Sequence, residues 1–151
     1  MSMNVEDART QMVNQQVRAW DVLDPAVLSV LAQVPREQFV PPRFRNLAFA
    51  DTEIPLGAGQ VMMTPQVEGR LLQALAIRGT DRVLEVGTGS GFLTACLARL
   101  GSGVTSLEIT RRGFKSSDSE PKVLLLGYGA TRLLPRPGME SKPLTEDFAR
   151  V

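Results

Sequence analysis

The chain of 151 residues, with 17 Lys+Arg against 16 Asp+Glu, is sized for one domain and carries a net charge of +1. That balance gives no field for wrapping nucleic acid or holding an anionic membrane, and 43% apolar with 22% charged residues is the composition of a soluble globular protein. The absence of histidine excludes a Ser-His-Asp triad, a Cys-His pair and any His-ligated zinc; the single cysteine, Cys96, excludes an internal disulfide and a Cys-only zinc site. Met1-Ser2-Met3-Asn4 lacks a signal-peptide pattern, and no apolar run approaches the ~20 residues that span a bilayer, so a cytoplasmic protein without a metal site is expected.

The first helix is expected where Val5, Ala8, Met12, Val13, Val17 and Trp20 recur at spacings of three to five, with Trp20 as a core anchor. A second helix follows Asp24-Pro25, an N-cap and first-turn pair, and carries Val27, Leu28, Leu31 and Val34 as its apolar stripe until Pro35 ends it. Residues 35–60 read as a long irregular stretch broken by Pro41, Pro42 and Pro55, of the length that often marks a functional loop. Thr64-Pro65 opens a third helix by the same capping logic, burying Val67, Leu71, Leu72, Leu75 and Ala76, while Glu68 falls one place too late for a strict capping box.

Arg82-Val83-Leu84-Glu85-Val86 then reads as a strand, Phe92 to Leu100 as a helix with Cys96 packed inward, and Val104 to Ile109 as a second strand. Strand, helix and strand at this length make a βαβ unit with parallel strands. After Thr110 the periodicity ends. Residues 111–151 read as an atypical tail, irregular or disordered except for a strand at Lys122–Leu126, so the unit with recognisable architecture is 1–110.

The sharpest signal is Glu85-x-Gly87-x-Gly89-x-Gly91 at the strand-to-helix turn, with Glu108 closing the next strand. A nucleoside lying over the carboxyl end of such a sheet approaches the backbone closely, which calls for residues without side chains. An acid at the tip of the neighbouring strand can accept both ribose hydroxyls. The dinucleotide fingerprint G-x-G-x-x-G would need its third glycine at position 92, which is Phe92. The spacing G-x-G-x-G, preceded by Glu85, resembles motif I of S-adenosylmethionine-dependent methyltransferases.

The segment upstream narrows this. Val34-Pro35-Arg36-Glu37-Gln38-Phe39-Val40-Pro41, then Ala48-Phe49-Ala50-Asp51, then Ile54-Pro55-Leu56-Gly57-Ala58-Gly59-Gln60 and Pro65 precede the glycine motif in order. Together they resemble the protein-L-isoaspartate (D-aspartate) O-methyltransferase family over about residues 8–109. The resemblance implies a Rossmann-like α/β methyltransferase fold with N-terminal helices and an incomplete parallel sheet, and a chain truncated or altered after about residue 109. It implies transfer of a methyl group from S-adenosyl-L-methionine to the free α-carboxylate of an isoaspartyl residue in a protein or peptide. Gly87, Thr88, Gly89, Ser90 and Gly91 would admit the cofactor, Glu85 would orient its ammonium or the loop, and Glu108 would hold the ribose. Gly59 and Gln60 would face the acceptor. Val61, Met62 and Met63 would lie beside the cofactor, although core filling is an equal reading of the two methionines. The family's loop serine corresponds to Met63, leaving Thr64 as the nearest hydroxyl for a catalytic role. The alternatives are a non-catalytic remnant that binds cofactor weakly or not at all, and a methyltransferase for a different small acceptor.

Overall fold

A computed structural model describes residues 4–108 and the backbone of two short strands, Leu124–Leu125 and Gly129–Arg132. The N-terminal helix α1 (Val5–Gln11) is capped by Asn4, whose side chain accepts from the Glu6 N–H. It does not keep α-helical pitch as far as Trp20. Met12–Val17 is a π-helical segment and Arg18–Trp20 a 3-10 turn. The wider π turn lets residues five apart share a face, so Met12 and Val17 are both buried, as is Val13. Trp20, expected in the core, is 53% exposed, because the 3-10 turn ends beside it and Asp21 turns the chain at φ 58°.

The second helix α2 (Pro25–Gln33) begins where the sequence places it, with the Asp24 carboxylate accepting from the Ala26 N–H at 2.8 Å. Residues 35–60 are more ordered than their prolines suggest. Arg36–Gln38 and Pro42–Leu47 form 3-10 turns, and β1 (Ile54–Gly57) pairs antiparallel with β2 (Gln60–Met62). Ala58 and Gly59 make the hairpin turn with φ of 51° and 70°, the positive pair that a type I′ turn demands. The third helix α3 (Pro65–Leu75) starts after Thr64, but the Thr64 hydroxyl makes no capping bond.

The βαβ unit forms as expected: β3 (Arg82–Val86), α4 (Phe92–Leu100) and β4 (Gly103–Glu108), with β3 and β4 parallel in the register Glu85↔Ser106. The strand expected at Lys122–Leu126 is found only in part and does not itself pair with β4. Of that span only β5 (Leu124–Leu125) is a described strand, and it pairs with β6 (Gly129–Arg132), which itself lies antiparallel against β4. The sheet is therefore mixed, in the order β3-β4-β6-β5. The expected irregular character of the remaining residues after 110 lies outside the described residues. Helix α4 packs on β4 and α2 packs on α4, while Leu84 and Val86 on β3 are 57% and 76% exposed. Among the described residues no helix is long and apolar enough to cross a membrane.

Candidate cofactor site

The turn from β3 to α4 is held onto the tip of β4 by its backbone. The Gly87 and Thr88 N–H groups both donate to the Leu107 carbonyl, at 2.7 and 3.2 Å, and the Gly91 N–H donates to the Thr88 carbonyl. Gly87, Gly89 and Gly91 all have positive φ, of 94°, 59° and 84°. At Gly87 a Cβ would meet nothing within 4 Å, so the backbone conformation, and not crowding by the protein, selects glycine there. The Ser90 hydroxyl accepts from the N–H of Phe92, the first residue of α4, at 3.2 Å.

Glu108 stands at the same edge as the glycines. Its carboxylate is 6% exposed and accepts from the Gly89 N–H at 2.9 Å. Glu85, directly upstream, is buried in a chain of hydroxyls. Its Oε2 accepts from Thr94 of α4 and Ser106 of β4, each at 2.5 Å, and Ser106 in turn meets the Thr88 hydroxyl at 2.7 Å. Its other oxygen, Oε1, is buried with no hydrogen-bond partner. Burial pushes the Glu85 carboxyl above its ordinary value, the Ser106 and Thr94 hydroxyls pull it back, and the nearby Glu108 charge adds to the rise. Thr94 and Ser106 were not singled out by the sequence. A lone threonine on the inward face of an apolar helix was the available signal.

The hairpin reaches this turn through Leu56 of β1, 3.9 Å from the Cβ position of Gly89, while Phe39, at the end of the Arg36–Gln38 turn, lies 3.7 Å from that of Gly91. Gly59, Gln60 and Val61 are exposed at and beside the hairpin tip, Met63 and Thr64 are half-buried, and Met62 is 3% exposed in the hydrophobic core. Arg36 and Glu68, neither assigned a role by the sequence, form a buried ion pair beneath the hairpin. Cys96 is fully buried, and burial pushes its thiol up, away from reactivity. Among the described residues no cluster of Cys, Asp and Glu could hold a metal ion.

A parallel β-α-β with a glycine turn at its carboxyl edge and an acid on the adjoining strand defines a Rossmann-like α/β fold, here in part. The fold is shared with a solved β-aspartate methyltransferase from Plasmodium falciparum in complex with S-adenosyl-L-homocysteine, with a TM-score of 0.58, 20% identity, and coverage of 73% of this chain and 51% of that one. The model of the protein-L-isoaspartate(D-aspartate) O-methyltransferase family matches residues 7–120, and the chain belongs to that family. It is 38% identical over 135 residues to protein-L-isoaspartate O-methyltransferase 1 of Rhodopseudomonas palustris (strain HaA2), covering 89% of this chain and 54% of the relative. It is 50% identical over 97 residues to protein-L-isoaspartate O-methyltransferase 1 of Anaeromyxobacter sp. (strain Fw109-5), covering 64% of this chain and 46% of the relative. The chain thus spans about half the length of the curated relatives it matches.

Proposed function

We propose that this chain binds S-adenosyl-L-methionine and directs its methyl group to the α-carboxylate of an isoaspartyl residue in a protein or peptide. The observation that carries the reading is the bond from the Gly89 N–H to Glu108, which brings the acid onto the glycine turn instead of leaving it across the sheet. The residues fit the cofactor. The turn is open at Gly87, where a Cβ would meet nothing within 4 Å, Glu108 would hold the ribose hydroxyls, and the unpartnered Glu85 Oε1 is an acceptor suited to the ammonium. Thr88 and Ser90 would contribute backbone, because their hydroxyls are engaged with Ser106 and the Phe92 N–H. Bound, the cofactor supplies an electrophilic methyl group on a sulfonium.

The chain's own task is alignment. A carboxylate is ionised at pH 7 and needs no general base, which agrees with a sequence that has no histidine. Holding the acceptor in line and excluding water is sufficient. The hairpin tip, Gly59 to Val61, and Met63 would face the two ligands. Thr64, whose hydroxyl makes no capping bond, would donate to the acceptor carboxylate where the family serine corresponds to Met63. The unit that does this is 1–110, to which Leu124–Leu125 and Gly129–Arg132 add strands. The near-zero net charge supports a partner that is neither nucleic acid nor membrane, and placing the enzyme in the cytoplasm is part of the same proposal.

Calorimetry with S-adenosylhomocysteine, followed by transfer of labelled methyl to an isoaspartyl peptide and to its aspartyl counterpart, tests the reading. Labelling of the isoaspartyl peptide alone is expected. A folded chain that binds the cofactor product yet labels neither peptide would defeat the repair assignment. Thr64→Val is expected to lower kcat for the isoaspartyl peptide by about 10-fold or more with cofactor affinity unchanged.

A further inference from the structure

Arg36 is the largest side chain in the described fold with no exposed surface. Its guanidinium spends its donors on three different segments: Nε on the Ala48 carbonyl at 2.8 Å, Nη1 on the Glu68 carboxylate of α3, and Nη2 on the Met63 carbonyl at 2.8 Å. Its Cζ lies 4.9 Å over the ring of Phe92, the first residue of α4 and the neighbour of Gly91. Phe92 is braced in turn by Phe39, edge-on at 5.8 Å. One planar group therefore touches both the end of the hairpin and the start of the glycine-turn helix.

Compaction alone does not call for this. A buried ion pair can be replaced by apolar residues of similar volume with little loss of stability. What apolar residues cannot do is orient carbonyls, and two of the donors of Arg36 go to main-chain oxygens. The Met63 carbonyl belongs to the same rigid peptide unit as the Thr64 N–H. Fixing that oxygen fixes the plane from which Thr64 departs.

We propose that Arg36 is a positioning residue: by holding the Met63–Thr64 peptide and Phe92 at once, it sets the hairpin and the Thr64 hydroxyl at a fixed offset from the glycine turn. Its kinetic consequence rests on the methyl-transfer reading above, and its structural consequence does not. A purely structural arginine would, when lost, weaken cofactor binding, loop order and transfer together. A positioning arginine leaves the glycine turn and its ligand alone, and disturbs the hairpin and the acceptor step.

The test compares the full chain with the paired substitution Arg36→Met and Glu68→Leu, and with Arg36→Lys, which keeps the charge but reduces the fork to one point donor. Amide hydrogen exchange across residues 57–64 is expected to accelerate by about 10-fold or more in the pair and by less in Arg36→Lys, with residues 87–91 unchanged. Affinity for S-adenosylhomocysteine is expected to stay within about twofold, while kcat for an isoaspartyl peptide falls by about 10-fold or more. Unchanged exchange at 57–64 in both variants overturns the proposal, as does an equal loss of protection at 87–91 accompanied by loss of ligand affinity. Should the paired variant not fold, Arg36→Lys is judged by the same criteria. If the unmodified chain transfers no methyl to the peptide, the repair reading fails, and the exchange pattern, which needs no turnover, still decides the role of Arg36.

Discussion

Two carboxylates are buried in this molecule under opposite terms. Glu68 lies against a guanidinium that also binds two carbonyls, so a cation stands beside it where it is buried. Glu85 has only hydroxyls for company, with Thr94 and Ser106 on one oxygen and nothing on the other. A carboxylate kept from water without a cation is costly. The first arrangement is a closed knot that ties the hairpin, α3 and α4. The second is an open one, completed in the proposed function by the ammonium of the ligand.

The comparison is broken most sharply by removing one partner at each place. Glu68→Ala strands the Arg36 guanidinium in the core and is expected to cost about 3–5 kcal/mol in urea unfolding. Glu85→Ala releases a group that was already unmatched and leaves Ser106 its contact with the Thr88 hydroxyl, so about 1–2 kcal/mol is expected. Equal losses would show that the two sites do not differ in kind. A finer probe is Thr94→Val, which keeps the volume but deletes one donor to Glu85. About 1–2 kcal/mol is expected from the same measurement.

The smallest effect is a slope. In the folded chain burial raises the Glu85 carboxyl against the pull of Ser106 and Thr94. Below the unfolded-chain value of ~4.3 both states hold the proton and the group is silent. Above it the unfolded chain releases the proton first, so the contribution of Glu85 to stability declines as pH rises and levels off past the raised folded value. Glu68 has the same sign, because burial outweighs the lowering by Arg36. Thermal melting from pH 5 to 8 should therefore show a falling Tm in the unmodified chain, and a shallower but still falling line in Glu85→Gln. An unaltered slope in Glu85→Gln would place the raised carboxyl elsewhere.

What the sequence made legible was local. Asp24-Pro25 announces α2 because cap and first turn lie within two residues of one another. The β3-turn-α4-β4 passage is readable because alternation, glycine spacing and helical period follow in direct succession. The proposed site was legible as far as its backbone turn and its two acids. Its supports were not. Arg36, on a 3-10 turn among prolines, reads as a solvated charge, and its partners lie 12 and 32 residues further on, at Ala48 and Glu68. Glu68 was weighed only against the helix start nearest to it. The hairpin was hidden because its turn carries alanine where Asn-Gly or Asp-Gly would have signalled it, and Ala58 accepts a left-handed φ of 51° to make it. Trp20 misled for another reason: its spacing assumes uniform helical pitch, and the pitch changes twice before it.

That change of pitch has a consequence for how much the chain can tolerate. Between Met12 and Val17 the helix holds slack, a surplus backbone step absorbed as a swelling while both anchors stay seated. Asn14 and Gln15 occupy the swollen side and face water. Excising either one would let the coil tighten to ordinary winding with Met12 and Val17 still docked. This stretch is where loss of one residue is expected to cost least, read as an unchanged Tm in the single-residue deletion.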